Sequence, residues 1–477
     1  MAKIRINLSQ PIESRTASFA KDSFCANGYF ETRDKVKRDF ITRPGLDLVT
    51  LSAPLPVTQG QGMYAYNGYL WICINNTVYR VDTYGTVTNF GSFANPGYIA
   101  NFGIIENNRY LVFHNTINGY YIAPGDTVIS QITDANFPNG SLVPGLVYLD
   151  GYTFVMTAQA RIYNSAINDP TTWGALDYIT AEAEPDKGVA LAKHFNYIVA
   201  FGEWSTEFFY DAANAVDSPL ERNDGLRLEI GCANGYTVQQ LEQTVIWCGQ
   251  SKEKGRAVYL MEGTSPVKLS TRYVEKYLNK DAMTSVKSWV FKIEGHTFYV
   301  LNMVDSNITL VYDLDEKAWY NWTSQADGVE KYWTPSFFAS YNNKYYALDD
   351  TSGNLYTINV EGTEDYGNAI YYRSVTDRFD AGNDNAKFHR RLIIIGDRAN
   401  ATLSIRHCND DYQTYSAWRT VNLASDRPQL NQLGKGKRRS YEFLCTDKVK
   451  LRLDAAELSF DIGRLDGGDT PSQQGSR

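Results

Sequence analysis

The chain has 477 residues, 43% hydrophobic and 14% aromatic, with 34 Tyr, 22 Phe and a formal net charge of -8. That length exceeds one small core and allows two or three domains. The acidic balance excludes a general coat for nucleic acid, though it suits a passage along which DNA slides without being gripped. No run approaches the roughly 18 apolar residues of a membrane span. The opening "MAKIRINLSQPIESR" carries no apolar core and predicts no secretory signal. Cys25, Cys73, Cys232, Cys248, Cys408 and Cys445 show no C-x-x-C spacing, so reduced, packed thiols and synthesis in the cytoplasm are expected.

In chain order, residues 1–56 read as an arm with a dense charge run, "ETRDKVKRDFITRPGL". Next comes "YNGYLWICINNTVYRVDTYG", Tyr66 to Gly85, in which Asn67 and Gly68 form a hairpin signal between alternating runs. The event recurs at Asn107, Asp150, Phe195, Glu242, Glu294 and Asn342, with spacings of 40, 43, 45, 47, 52 and 48 residues. About seven copies of a short-strand unit with a period near 40–50 residues predict an all-β fold, a β-propeller over residues 57–367. One blade cannot bury both faces of its sheet, and stacking around a ring does so. Helical patterns are confined to Ser270–Asn279 and the segment near Asp281 to Lys287. The texture changes after about Asn368, and residues 368–463 read as a small β-sandwich-like domain. Residues 464–477, rich in Gly, Ser and Gln, read as a flexible tail.

Candidate chemistry is sparse. Asp313, Asp315 and Glu316, and Glu182, Glu184 and Asp186, supply carboxylates of the kind a glycosidase pairs across a sugar. At blade turns such residues more commonly cap the turn. "NDPTTW" (Asn168–Trp173) resembles a degenerate form of the Asp-containing turn of sialidase propellers, a hairpin lock at the blade rim. The five histidines are far apart, and neither a metal site nor a nucleotide site is expected; no cofactor is implied. Two basic runs stand against the acidic background: Arg33, Lys35, Lys37 and Arg38, then Lys435, Lys437, Arg438 and Arg439. They read either as solvated segments or as attachment points for an acidic partner surface or DNA phosphate. Aromatics do not interleave with them, so stacking on single-stranded bases is not indicated.

Residues Ile198 to Asn279 carry more than periodicity. The strand around Phe201, Gly202, Ser205 and Glu207–Tyr210, then "GCAN" (Gly231–Asn234), "VIWCGQ", "VYLMEG" and "PVKLST" (Pro266–Thr271), resemble the packaged-DNA stabilisation proteins of short-tailed phages, the tail hub or nozzle family. "NGYFETRDKVKRDFITRPGL" (Asn27–Leu46) is similar to the segment ending in Pro-Gly-Leu that opens those proteins. The resemblance spans about residues 25 to 360 and is loose in the C-terminal unit. It implies a non-enzymatic virion protein of the tail, assembled as a homo-hexamer below the portal and adaptor rings. Such a ring extends and closes the DNA channel, retains the genome and docks fibres, spikes or a needle. Double-stranded DNA would pass without sequence-specific binding. The arm would stay disordered until it packs on a neighbour, and there is no membrane insertion. The alternatives are a propeller glycan hydrolase or glycan-binding tail component, and a host-surface adhesin.

Overall fold

The computed structural model describes residues 2–8, 23–33, 37–94, 101–105, 110–182, 184–214, 216–242, 244–326 and 328–463. Side chains of 33, 37, 101–105 and 326 are outside that description. The chain divides into two compact units, Pro44–Asn368 and the combination of Met1–Arg43 with Ala369–Arg477.

The first unit is a β-propeller. Among the described residues seven antiparallel sheets follow one another, at residues 60–92, 101–131, 147–180, 188–228, 231–268, 286–326 and 335–359, referred to as blades 1 to 7. The sequence anchors are the turns between the first and second strands of these blades. Asn67, Asp150, Phe195, Glu242, Glu294 and Asn342 all adopt positive φ, between 48° and 51°. A two-residue hairpin whose twist matches its strands needs that conformation, and Asn-Gly and Asp-Gly pairs adopt it at least cost. The anchor at Asn107 lies outside the described residues. The strand after the anchor is deeply buried in blades 1 and 4, where five of six residues of Tyr69–Ile74 and of Tyr197–Gly202 are buried, while in blade 7 only three of six are, in Lys344–Asp349.

Neighbouring blades close on shared apolar layers. Val147, Phe154 and Ile162 of blade 3 pack with Leu191, Ile198 and Phe209 of blade 4. Val199, Phe201 and Phe208 of blade 4 pack with Val245, Trp247 and Tyr259 of blade 5. Each fully buried side chain of this size contributes about 1.5–3 kcal/mol. In blades 6 and 7 the layer is aromatic: Trp289 lies 5.3 Å from Trp333 and stacks at 5.7 Å on Phe338.

The ring is closed by a strand from far upstream. Gly45–Leu48 runs antiparallel to Leu355–Asn359, with Leu46 opposite Ile358, and forms the outer strand of blade 7. Tyr341 of blade 7 donates its hydroxyl hydrogen to the Gly68 carbonyl of blade 1 at 2.8 Å. Gly45 has no room for a side chain, because a Cβ there would lie 2.5 Å from the Glu364 carbonyl oxygen. The Pro-Gly-Leu motif is therefore the entry to the closing strand.

The boundary expected at residue 56 is corrected accordingly: residues 44–56 belong to the propeller unit. The arm is corrected as well. Ala2–Asn7, Phe24–Ala26, Gly28–Arg33 and Lys37–Thr42 are strands of the second unit. Ala2–Asn7 pairs along Arg452–Ile462, and Lys37–Thr42 meets the same strand at Leu453. One sheet of this unit is built on Lys387–Gly396 and Arg452–Ile462. The other orders Phe24–Ala26, Tyr372–Val375, Ser440–Cys445, Thr402–Cys408 and Arg419–Asn422. Phe40 of the first sheet contacts Tyr372 of the second at 4.6 Å between ring centroids. An arm whose residues alternate into two sheets of its own chain has its apolar face, Tyr29, Phe30 and Phe40, already buried. Residues 464–477, expected to be a tail, lie outside the described residues.

Among the described residues there is one α-helix, Arg272–Lys280, which overlaps the predicted Ser270–Asn279 and ends one residue beyond it. Its Tyr273, Val274 and Leu278 face the core. No helix follows at 281–287. The Asp281 carboxylate accepts the Met283 N–H at 2.8 Å, which ends the helix in an Asx turn with Met283 at φ 61°. No helix among the described residues is long and apolar enough to cross a membrane.

Candidate functional site

Inner strands converge on a cavity of about 300 Å³ on the propeller axis, lined by Met63, Ala192, Gln239, Lys287, Trp289 and Phe338 among others. Its described lining contains no carboxylate. Lys287, its one charged residue, forms an ion pair with Asp350 in the turn of blade 7. Gln239 donates to the Ser288 carbonyl at 2.9 Å, and the Ser288 hydroxyl to the Tyr236 carbonyl at 3.0 Å. The polar groups here are joined to each other, and the described lining offers no pair of acids to flank a scissile bond.

The turn carboxylates are committed to their turns. Asp313 is fully buried; it accepts the N–H groups of Asp315 at 3.0 Å and Glu316 at 3.2 Å and a hydrogen bond from His296 at 2.8 Å. Burial alone would depress the His296 pKa. The Asp313 hydrogen bond and charge, helped by Glu316 and Asp315, outweigh it and raise the pKa above the usual histidine value. Asp186 accepts the N–H groups of Trp204 at 2.7 Å and Ser205 at 2.9 Å, while Glu184 faces Arg227 at 3.4 Å. At "NDPTTW" the Asp169 carboxylate accepts from Thr171 and Thr172, and Trp173 is buried against Phe137 at 4.9 Å. This is the hairpin lock that the sequence suggested. Among the described residues no group of three His, Cys, Asp or Glu is placed to hold a metal ion.

The two basic runs fare differently. Arg33 and Lys37 are opposed at the end of a hairpin, with side chains outside the described set, and Lys35 lies outside it altogether. Arg38 is exposed. In the second run Lys435, Lys437 and Arg438 are exposed. Lys435 Nζ sits 5.7 Å from the Phe388 ring centroid, and Lys437 pairs with Asp384 at 3.3 Å. Arg439 does not belong with them as a docking residue. It is 1% exposed, and its guanidinium donates to Asn409 at 2.8 Å and to the carbonyls of Leu433 at 2.6 Å and Lys435 at 3.2 Å. A side chain that holds three loop acceptors in the interior is structural.

Whole-chain charge conceals a division between the units. Residues 44–368 hold 19 Lys and Arg against 35 Asp and Glu, a net -16; the remaining residues hold 27 against 19, a net +8. Counting charge by unit, once the unit limits are known, is the signal that the overall value of -8 hides.

Among solved structures, the chain is similar to the computationally designed Ika8 protein, at 12% identity over 66% of this chain and 100% of that one, with a TM-score of 0.38. It is similar to the Pan2 WD40 domain of Neurospora crassa, at 13% identity over 67% and 95%, with a TM-score of 0.42. It is also similar to YCF48 bound to D1 peptide, at 13% identity over 66% and 97%, with a TM-score of 0.40. No curated protein matches the chain. A family model described as bacteriophage P22 Gp10, beta-propeller, matches residues 21–362. The chain belongs to that family, the β-propeller packaged-DNA stabilisation proteins of short-tailed phages.

Proposed function

We propose that this chain is the hub, or nozzle, of a short-tailed phage tail. Six copies form a ring below the portal and adaptor, extend and close the DNA channel, retain the packaged genome and give fibres, spikes or a needle a place to dock. The family match over residues 21–362 carries this reading. The physical properties of the chain support it. A propeller closed by an upstream strand is a stiff brick, and a brick with unlike faces builds a cyclic ring through heterologous contacts. A net charge of -16 on the propeller unit repels DNA that must leave quickly. No chemical step is assigned to the chain. Lys435, Lys437, Arg438 and Arg38 remain candidate docking residues, and their exposure suits that role.

Cryo-electron microscopy of DNA-filled particles tests the proposal. A six-fold ring of this chain below the adaptor is expected. Tail density complete without this chain would overturn the reading.

A further inference from the structure

The charge division raises the question of where unlike charge is concentrated on each unit. On blade 4, a row of side chains crosses three strands: Tyr197 lies opposite Tyr210, and Tyr210 opposite Glu221. Glu221 and Asp224 are both exposed on this outer strand, Leu220–Leu228, and the Glu221 hydrogen bond, then burial and the charges of Glu221 and Asp224, raise the Tyr210 pKa. Asp217 extends the acidic face along the adjoining turn, next to Val216, which is 74% exposed. Arg222, the neighbouring base, is turned to the buried Glu207 at 2.8 Å and to the Thr180 carbonyl at 2.8 Å. Asp217, Glu221 and Asp224 form no ion pair with a described residue. The face is acidic, aromatic and uncompensated.

The sandwich unit carries a surface of the opposite kind. The buried Glu442 accepts from Arg373 Nε at 2.8 Å and from Arg406 Nε at 2.6 Å. Two cations thus share one carboxylate. The Arg406 guanidinium lies 4.2 Å from the Tyr415 ring centroid and 4.4 Å from that of Trp418. Trp418 is 39% exposed, whereas Arg419 lies opposite Ile405 on the other side of the sheet and donates to the carbonyls of Asn431 and Gln432. Arginines stacked on rings and tied to a buried carboxylate are pre-organised, so little entropy is lost when they meet a partner. Trp, Tyr and Arg are also the residues that dominate interface energetics.

We propose that the acidic face of blade 4 on one copy docks against the arginine and aromatic face around Trp418 on a second copy. The proposal rests on the ring reading and names its contact surfaces. Charge complementarity selects a second copy as the occupant. Each chain carries both faces, so a second copy supplies the complement. Like faces brought together would set three carboxylates against three, or arginines against arginines. The contact is therefore heterologous, the kind that propagates around a ring.

Two variants of the full chain test it, E221K/D224K on blade 4 and W418E on the sandwich. Analytical ultracentrifugation of the wild type at low salt should show association that weakens roughly tenfold or more between 50 and 500 mM salt. Each variant alone should stay monomeric. An equimolar mixture should stop at a heterodimer, because it contains one intact pair of faces. W418A, checked by its melting curve, guards against a folding defect in the second variant; it should weaken association while melting as the wild type does. A wild type monomeric at low salt, variants that associate as the wild type does, or a mixture that stays monomeric would overturn the pairing. A hub ring whose copies touch through other faces would overturn the pairing and leave the ring reading intact. Heterodimer formation by a chain absent from the tail would do the reverse.

Discussion

The propeller and the sandwich are built by opposite routes from the same chain. In the propeller, each blade forms mainly from one stretch of about 40 residues or fewer, and the closing strand of blade 7 comes from far upstream. In the sandwich, Ala2–Asn7 pairs with Arg452–Ile462, and the hairpin of residues 28–42 meets strands near the other end of the sequence. Local repetition gives an acidic ring; distant pairing gives a basic sandwich. A unit that repeats can be recognised from its period. A unit assembled from distant stretches of a chain is recognised only in part, because the few strands upstream of the propeller do not announce the sheets they complete.

The sharpest way to break this comparison is to cut the chain. A fragment of residues 44–368 should fold cooperatively, while one of residues 57–368 loses the outer strand of blade 7 and the buried Leu46. Circular dichroism melts should separate the two by several kcal/mol, since Leu46 alone contributes about 2 kcal/mol. Equal stability would show that the closing strand is dispensable.

Next in size is a contrast within one basic run. R439A strands interior loop acceptors and should cost about 3 kcal/mol or more in urea denaturation. R438A, on the surface, should stay within about 0.5 kcal/mol of the parent. Similar effects at both positions would remove the distinction between structural and surface arginine.

A smaller loss, about 1–3 kcal/mol, is expected for G45A, because the new Cβ meets backbone at 2.5 Å. The change should lower the melting transition of the propeller and leave that of the sandwich in place.

The smallest expected effects distinguish the units by pH. Burial, then the charges of Arg439, His407 and Lys387, push His389 down to about 3. Burial, then Arg439 and Arg419, push His407 down to about 4. Both bind protons more readily when unfolded, so sandwich stability should fall as pH drops below about 6.5. H389Q should blunt that fall. His296 in the propeller has the opposite sign: its pKa is raised, so its contribution is complete below the unfolded value and is lost as pH rises through the folded one. H296Q should flatten this loss near neutral pH, read as melting temperature against pH.

Much of the propeller was legible because its turns need positive φ, and Asn67-Gly68, Asp150-Gly151 and Glu294-Gly295 mark such turns in the sequence. The closing strand was not, since "GLDL" is four residues long and its partner lies about 310 positions away. The sandwich strands near the C-terminus were visible as alternating runs, but those near the N-terminus were read as an arm because the charges of "ETRDKVKRDF" mask the buried Phe30 and Phe40. Arg439 was misread for a related reason. A run of like residues suggests one environment, whereas the bend ahead of Ser440–Cys445 leaves Arg438 exposed and Arg439, bridged to Phe379, buried.

The upstream origin of the closing strand also sets an order of events on the ribosome. Gly45–Leu48 leaves the exit tunnel among the first segments, yet its partner, Leu355–Asn359, is not yet made. At about 5–20 residues per second, the interval is roughly 15–60 s. Through that time the unfinished ring has an unsealed seam between its first and last blades. A nascent chain in this state is exposed to chaperones and to neighbouring chains on the same message, and the waiting tetrapeptide decides when the ring becomes a finished part.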